Sequence, residues 1–298
     1  MTDPDELEKL AAILEESGDY KILRRLKPQA ARTPSGRDDE CRNGLFLDVE
    51  TTGLDPSKDE IIELAMLPFR YTLGGDVVEI LEPFDRLREP SMPIPPTVTA
   101  LTGITDEMVA GQRIDPGEVS EFADSANLLM AHNAAFDRRF LERFCPTFCT
   151  KPWACSMAEI DWTAEGFEGT KLAYLASSYG FFYNRHRAVN DCLAAVELLS
   201  QLLPRSGISG LASLLMRARQ TTWRIWATNS PFELKDTLKS RGYRWNGDDN
   251  RKPKAWFVDV SDDQKDRELD YLRREIYKGE IELEVTRITA FDRYSDRI

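Results

Sequence analysis

Short apolar or alternating runs, separated by turn residues, mark the central part of the chain as a set of strands. Three of them follow one another: Leu45 to Val49, Ile61 to Tyr71 and Asp76 to Leu87. Glycine and proline residues fall between these runs, as expected for strands joined by tight connections. The pattern predicts a three-stranded antiparallel meander. A fourth strand, short and buried, is predicted at Asn127 to Ala131.

Apolar residues at helical spacing predict helices around and after these strands. Phe136, Phe140, Leu141 and Phe144 form one apolar helical face. The other predicted helices cover Asp106 to Ala110 with Thr105 as N-cap, Lys171 to Tyr179, Asp191 to Leu203 with Asn190 as N-cap, and the region of Leu7, Leu10 and Leu14. Strands first, then strands alternating with helices, predict an α/β fold in which helices flank a mixed sheet.

Composition shifts divide the chain into four predicted segments. Residues 1–43 are an N-terminal helix followed by a polar linker, 44–204 the main domain, 205–220 a second linker and 221–298 a small α+β domain. Within the last segment we expect a strand, a helix over Phe232 to Arg241, a turn at Gly242 and a hairpin carrying Trp245 and Trp256. A helix through Leu269 and a strand over Ile281 to Ile288 would follow.

The composition is that of a globular protein that stays in the cytoplasm. Of 298 residues, 42% are hydrophobic and 30% charged, which excludes a disordered, collagenous or membrane-spanning chain. The acidic start MTDPDELEKL has no secretory signal pattern. The five cysteines include no CxxC pair, so we expect reduced thiols.

The net charge of −12 argues at first against binding nucleic acid by bulk charge. The charge is uneven, because residues 211–298 hold 18 Lys/Arg against 16 Asp/Glu and therefore residues 1–210 carry −14. Between Arg217 and Trp256 there are ten basic against four acidic residues, together with four of the six tryptophans. Basic residues interleaved with aromatics are typical of surfaces that bind single-stranded nucleic acid, although a small domain with a tryptophan core has the same composition.

Three acidic segments are candidates for a metal site. Asp48 and Glu50 lie two apart at the end of a strand, so their carboxylates share a face and suit a hard divalent cation. Asp137 ends the segment HNAAFD at the start of a helix, and Asp191 follows His186 by five residues. Taken singly, the Asp48–Glu50 pair is better explained by a solvated turn, and Asp137 by a helix-start acid that the helix dipole favours. A loop histidine near such a site has a pKa suited to general-base work.

Taken together, these segments resemble the DEDDh family of 3′–5′ exonucleases across residues 44 to 204. Residues 51–54, TTGL, and 101–105, LTGIT, agree as well, the latter resembling a segment of the proofreading epsilon subunit of bacterial replicative polymerase. The tyrosine subclass would need Tyr at position 187, where this chain has Arg187. The chain departs from many relatives at Cys155 and Ser156, which stand where an Asp-Thr pair is common.

The resemblance implies a ribonuclease H-like fold and a set of site residues. Asp48, Glu50, Asp137 and Asp191 would hold two divalent cations, Mg²⁺ or Mn²⁺, and His186 would act as general base. The terminal nucleotide would meet Thr51, Thr52, Leu54, Asn133 and Phe136, although Phe136 is equally suited to core packing. We expect His132 to hydrogen-bond within the fold rather than to bind metal.

The C-terminal region resembles a small "GaRWd…KkWy" domain of bacterial DNA-processing proteins. The matching residues are RGYRWN at 241–246 and KAWF at 254–257. The candidate nucleic-acid contacts are Trp245, Lys252, Lys254 and Trp256, with packing or protein docking as the alternative. The segment from Gln220 to Ile225 also resembles sliding-clamp peptides, but a β-strand accounts for it better.

The sequence therefore predicts a metal-dependent 3′–5′ exonuclease that acts on single-stranded or 3′-frayed DNA in repair or proofreading, with a polymerase or repair protein as a candidate partner. An exoribonuclease uses the same site and differs in contacts to the 2′-hydroxyl. An inactive exonuclease-like binding module has no need for clustered acids. A phosphodiesterase acting on small nucleotides would not need the basic, aromatic C-terminal region.

Overall fold

The computed structural model describes residues 4–27, 41–247 and 252–298. The elements of the first half are α1 (Pro4–Glu16), β1 (Arg24–Arg25), β2 (Cys41–Thr51), β3 (Ile61–Thr72), β4 (Val77–Ile80), β5 (Phe84–Leu87), α2 (Pro96–Thr102), α3 (Asp106–Val109), α4 (Pro116–Asp124), β6 (Leu128–Ala131) and α5 (Ala134–Phe144). The predicted linker from Lys27 to Asn43 lies mostly outside the described residues, and its last residues, Cys41 to Asn43, begin β2.

The elements of the second half continue from a short 3-10 turn at Pro146–Cys149. They are β7 (Trp153–Cys155), α6 (Leu172–Ser178), β8 (Phe181–Phe182), α7 (Ala188–Ser200), α8 (Gly210–Ala218), β9 (Thr222–Ala227), α9 (Lys235–Ser240), β10 (Arg244–Trp245), β11 (Trp256–Ser261), α10 (Lys265–Tyr271), a π-helical turn (Leu272–Tyr277) and β12 (Val285–Ile288).

A mixed sheet flanked by helices forms the main body, as predicted. Its strand order is β4-β3-β2-β6-β7, with β5 also pairing with β3. The pair β2–β3 is antiparallel, whereas β6 is parallel both to β2 and to β7. The third predicted strand, Asp76 to Leu87, is divided into β4 and β5, because Pro83 has no N–H to continue a ladder.

The central strands are buried on both faces, and each face supplies a separate core. On β2, Phe46 packs into the core beside α7, whereas Leu45 and Leu47 pack into the core beside α5. The same alternation continues on β3, where Ala65 and Met66 face opposite cores. Helices therefore cover both faces, which is why β3 reads as a long apolar run.

The start of α7 differs from the prediction. The helix begins at Ala188 rather than at Asp191, and Asn190 lies inside its first turn instead of capping it. The first amide N–H, that of Ala188, donates to the Glu63 carboxylate on β3 at 2.9 Å. A cap supplied by a distant strand has no signature in the local sequence. By contrast, Thr105 caps α3 as predicted, accepting from the Met108 N–H.

The predicted linker at 205–220 is wrong over most of its length. Residues Gly210–Ala218 form α8, which begins at the N-cap Ser209. Leu211, Leu214 and Leu215 are buried in the same core as α7. Their i, i+3, i+4 spacing is the helical pattern that the prediction overlooked.

A second sheet lies in the C-terminal region, in the order β10-β11-β9-β12. The predicted hairpin is present, with Trp245 on β10 opposite Trp256 on β11, and its tip lies outside the described residues. The helix predicted over Phe232 to Arg241 is a 3-10 turn followed by α9. β9 occupies the inside of this sheet, so the segment that resembles clamp-binding peptides is a strand, as the better interpretation had it.

The residues after β12 return to the first sheet. The carbonyl of Ala290 accepts from the Trp153 N–H at 2.7 Å, next to the edge strand β7. Arg138 on α5 is fully buried, and its guanidinium donates to the carbonyls of Phe291 and Arg293 at 2.7 and 2.6 Å. This C-terminal tail therefore joins the two sheets.

Candidate active site

Three carboxylates from two elements meet at one end of the first sheet. Asp48 and Glu50 point to the same side of β2, and Asp191 lies on the first turn of α7, which crosses that face. One oxygen from each of the three lies within 4.8 Å of the others. The strand end thus brings together residues that are more than 140 positions apart in the sequence.

The fourth predicted acid, Asp137, approaches the same site from α5. Its carboxylate accepts from the Val49 N–H, between Asp48 and Glu50, at 3.2 Å. The side chain is buried, and its charge is felt by Asp48. The structure therefore brings all four predicted acids to one place.

Burial and mutual repulsion make these carboxyl groups weak acids. Burial raises the pKa of Glu50 to about 8, helped by the charges of Asp191 and Glu63. Burial also raises the pKa of Asp137 to about 7, and that of Asp48 well above its usual range. The pKa of Asp191 is raised by burial as well, in part offset by hydrogen bonds from Tyr183 and His186.

His186 is held beside the acids in an unusual backbone conformation. Its φ is 62°, in the left-handed region that non-glycine residues rarely adopt. Its backbone N–H donates to Asp191 at 2.8 Å. Such a conformation persists only where surrounding contacts determine it.

The contacts that hold this loop come from Glu63, which the sequence reasoning missed. Glu63 is fully buried on β3 and pairs with the guanidinium of Arg187 at 2.8 Å. The other oxygen of Glu63 accepts from Ala188, the next residue. A single carboxylate within an apolar run of β3 was the signal that could have revealed it, because an acid in such a strand needs a partner.

Tyr183 is a second residue that the sequence reasoning missed. Its hydroxyl donates to the carboxylate of Asp191 at 2.9 Å. It lies between β8 and α7 whereas Asp191 lies on α7, so no single strand or helix places the two side chains together. Asp191 therefore receives one hydrogen bond from a side chain and one from the backbone of His186, which fixes its orientation.

The candidate substrate residues surround the carboxylates but differ in exposure. Leu54 is 83% exposed, and Asn133 is also exposed, just before α5. Thr51 is buried, and its hydroxyl donates to the Gly53 carbonyl, while Thr52 hydrogen-bonds with Asp59. Among these four residues, only Leu54 and Asn133 have exposed side chains.

Phe136 is half-buried and belongs largely to the core beside α5. Its ring lies 4.9 Å from that of Phe140, tilted by 50°. This contact is the packing role that the sequence left as an equal alternative. It leaves part of the ring accessible near Asn133.

His132 hydrogen-bonds within the fold, as predicted. Its Nδ1 lies 2.9 Å from the Ser156 hydroxyl and its Nε2 2.7 Å from the Thr170 carbonyl oxygen. Burial lowers the pKa of His132 to about 4, so the ring is neutral near pH 7. Ser156, at the position where many relatives carry another residue, therefore orients His132.

The four candidate contacts in the C-terminal region are not equivalent. Trp245 is 55% exposed and Lys254 is exposed as well. Trp256 packs against the core of the second sheet, and Lys252 is half-buried and hydrogen-bonds to the Ile298 carbonyl.

The donor set fits divalent cations. The three clustered carboxylates and the neighbouring Asp137 have raised pKa values and repel one another, and hard oxygen ligands of this kind suit Mg²⁺ or Mn²⁺. No thiol lies in this group of the described residues, and all five cysteines of the chain are free thiols. The donor atoms of the site are therefore all carboxylate oxygens, the kind that could hold a hard divalent cation.

Comparison with known proteins gives the family. The exonuclease family RNase_T matches residues 45–199, which contain all four acids and His186. The chain belongs to this exonuclease family, and the prediction of family and fold is confirmed.

Two curated relatives illustrate the range of lengths. Over 174 residues the chain is 29% identical to the DNA polymerase III subunit epsilon of Aquifex aeolicus, covering 55% of this chain and 83% of that subunit. Over 188 residues it is 28% identical to the PolC-type DNA polymerase III of Thermotoga maritima, covering 57% of this chain and only 13% of that polymerase.

A solved structure shows a similar fold. The crystal structure of E. coli ExoI in a zinc-bound complex with ssDNA has 15% sequence identity and a TM-score of 0.50, covering 78% of this chain and 71% of that one. Among the helices in the described parts of the chain, none combines the length and apolar character needed to span a membrane.

Proposed function

We propose that the protein is a 3′–5′ exonuclease that hydrolyses DNA from its 3′ end in repair or proofreading. The observation that supports it is the convergence of Asp48, Glu50, Asp137 and Asp191 beside His186. The four acids would hold two divalent cations, Mg²⁺ or Mn²⁺. When bound, the cations stabilise the negative charge that develops on the attacking and leaving oxygens of the phosphodiester.

The residues of the chain supply the proton transfer and the positioning. His186 takes the proton from the attacking water, because the hydrogen bond from its backbone N–H to Asp191 holds this residue beside the acids. Glu63 fixes this loop through Arg187. Tyr183 and the His186 N–H keep the carboxylate of Asp191 in place.

The substrate contacts belong to the same proposal. Leu54 and Asn133 are exposed near the acids and would meet the terminal nucleotide, with Phe136 beneath it. Thr51 and Thr52 would contribute mainly by shaping the turn after β2, given their internal hydrogen bonds.

The proposed partners are nucleic acid and another protein. Trp245 and Lys254 would contact single-stranded or 3′-frayed DNA, and the more buried Lys252 and Trp256 would support them. A polymerase or repair protein in the cytoplasm is the proposed partner. The main domain from residue 44 and the small domain from residue 221 remain proposals, with residues 210–218 as helix α8 in place of a linker. The Aquifex relative is a polymerase subunit, which favours such a partner.

RNA is the second candidate substrate, because the same acids serve both polymers. Incubation of 5′-labelled DNA and RNA oligonucleotides with Mg²⁺ or Mn²⁺ tests the proposal. A ladder shortening from the 3′ end on DNA is the expected result. No cleavage of either polymer with either cation would leave an inactive binding module as the better interpretation.

The role of His186 has its own test. His186→Ala should lower the rate by on the order of 10²- to 10⁴-fold while Mn²⁺ binding, followed by titration of the metal, is retained. Asn184→Ala, two residues away on the exposed side of the loop, is the matched control and should keep its rate. An unchanged rate in His186→Ala would remove this residue from the mechanism.

A further inference from the structure

A cleft of about 410 Å³ lies between the two sheets and the C-terminal tail. Its lining is rich in arginine. Five arginines face it against three acidic side chains: Arg139, Arg217, Arg224, Arg244 and Arg293, against Glu159, Asp259 and Asp296. The first two arginines come from α5 and α8 of the first body, and the rest come from the second sheet and the tail. The cleft is therefore cationic on both of its walls.

On the second sheet, the arginines share one face with a single carboxylate. Arg244 lies opposite Phe257, and Arg224 opposite Asp259, so all four side chains point to the same side. Trp245 and Trp256, the aromatic candidates from the sequence, point to the other side, where Trp256 packs against the core. The cleft is thus a surface distinct from the one that those tryptophans form.

Two guanidinium groups on this face form ion pairs with the same carboxylate, that of Asp259. Arg224 contacts Asp259 through two hydrogen bonds of 2.7 and 2.9 Å, and Arg244 reaches the same carboxylate at 2.8 Å. Both guanidinium carbons lie over the Phe257 ring, 4.6 and 4.7 Å from its centroid. Two positive charges against one negative charge leave a surplus, and the Arg244 side chain is 63% exposed.

The opposite wall adds further positive charge. Arg217, in the last turn of α8, is exposed and donates only to a neutral partner among the contacts described, the Gln220 amide oxygen, at 2.9 Å. Arg139 on α5 pairs with Asp296 of the tail at 2.8 Å, and that aspartate is 63% exposed. A planar guanidinium that is stacked or tethered in this way is well suited to a bidentate contact with phosphate.

The cleft adjoins the edge of the sheet at which the acids lie. β6 is parallel to both β2 and β7, so all three strands run in the same direction. The residues that follow these strands therefore lie at the same end of the sheet. Ala135, in the first turn of α5, and Ala158, after β7, line the cleft, while Asp137 projects from the other side of that first turn towards β2. A polymer that enters the active site by this edge would pass the cleft.

We infer that the cleft binds the phosphate backbone of a single-stranded nucleic acid whose 3′ end occupies the active site. This inference rests on the proposed function. Arg244 and Arg217 are its two accessible anchors, one on each wall, and they would contact phosphates some nucleotides upstream of the scissile bond. An acidic polypeptide would satisfy the same charges but gives no reason for a cleft at the sheet edge where the acids lie.

The test compares substrates that can reach the cleft with one that cannot. Arg244→Ala and Arg217→Ala are assayed in the full chain on a 20-nucleotide single strand and on thymidine 5′-monophosphate p-nitrophenyl ester. Each variant should raise KM for the 20-mer by on the order of tenfold, with kcat and the rate on the ester unchanged. The slope of log KM against log salt should fall by about one per arginine. Arg274→Ala, an exposed arginine on the far side of the second sheet, should change neither.

Several outcomes would overturn the inference, and they differ from failure of the proposed function. Equal KM values on the 20-mer for wild type and both variants would show that the cleft does not hold the strand. If wild type cleaves neither substrate, the proposed function fails, and fluorescence anisotropy of a labelled 20-mer in EDTA still tests the cleft through the same variants. Polyglutamate binding that is lost in Arg244→Ala, without binding of the 20-mer, would assign the cleft to an acidic polypeptide instead.

Discussion

The stability of the metal-free protein should fall as the pH rises from 6.5 to 8. A carboxyl group whose pKa is raised in the folded state keeps its proton there while the unfolded chain has lost it. The folded state then binds more protons, so the free energy of unfolding decreases with pH between the unfolded and the folded pKa. Glu50, whose pKa is raised from 4.5 to about 8, and Asp137, raised to about 7, act in this direction.

The window from pH 6.5 upward is chosen because His132 acts oppositely below it. Burial lowers the pKa of His132 from 6.5 to about 4, so its contribution to stability increases with pH between those values and is constant above them. From pH 6.5 to 8, Glu50 alone then costs about 2 kcal/mol at roughly 1.36 kcal/mol per pH unit. That corresponds to a Tm lower by about 3 °C for a chain of this size, at an unfolding entropy of roughly 2.1 cal/mol/K per residue.

Thermal unfolding in EDTA and in Mg²⁺ or Mn²⁺ measures this effect. A divalent cation favours the ionised carboxylates, so the Tm difference between the two conditions should be larger at pH 8 than at pH 6.5. Glu50→Gln should weaken the pH dependence in EDTA, whereas Glu82→Gln, which removes an exposed carboxylate, should not. A Tm in EDTA that stays constant across the window would refute the reasoning.

Three substitutions test the contacts around the site. Tyr183→Phe removes one hydrogen bond to Asp191 and should lower activity by no more than about tenfold, with Mn²⁺ affinity reduced to match, as a titration would show. Glu63→Gln places an amide N–H against Arg187 or Ala188, so we expect single-turnover rates to fall by at least about tenfold. A wild-type rate in this variant, with the His186 loop unmoved in its crystal structure, would contradict this. Arg138→Met removes one of the two arginines that pair with Glu142, Arg297 being the other, and takes the buried donor away from the carbonyls of Phe291 and Arg293. It should cost about 1–3 kcal/mol in urea unfolding, against little change for Arg143→Met on an outer face of the same helix.

The sequence predicted the parts of the site that depend on short motifs. Strand periodicity places Asp48 and Glu50 on one face, and the three acidic segments together resemble the DEDDh family, which is what singled out Asp137 and Asp191. The sheet and its flanking helices followed from apolar spacing. The prediction that His132 hydrogen-bonds within the fold is confirmed. It followed from the neighbouring site, whose predicted metal ligands are all carboxylate oxygens.

The parts that escaped prediction depend on contacts between distant segments. Glu63 caps α7 from another strand, which moved the helix start from Asp191 to Ala188. Helix α8 lies where the sequence predicted a linker, although Leu211 and Leu215 have helical spacing. The C-terminal tail contributes backbone carbonyls, and no side-chain pattern reports where a carbonyl will be used.

The dependence of Arg138 on that tail sets an order of events during synthesis. Its guanidinium is fully buried, yet two of its acceptors belong to residues 291 and 293, some 150 positions later in the chain. At roughly 5–20 residues per second, a ribosome needs about 8–30 s to deliver them. Until then α5, which carries Asp137, has a charged group in its interior without these partners. The helix that carries the candidate acid Asp137 therefore reaches its final packing only after residues 291 and 293 have left the ribosome.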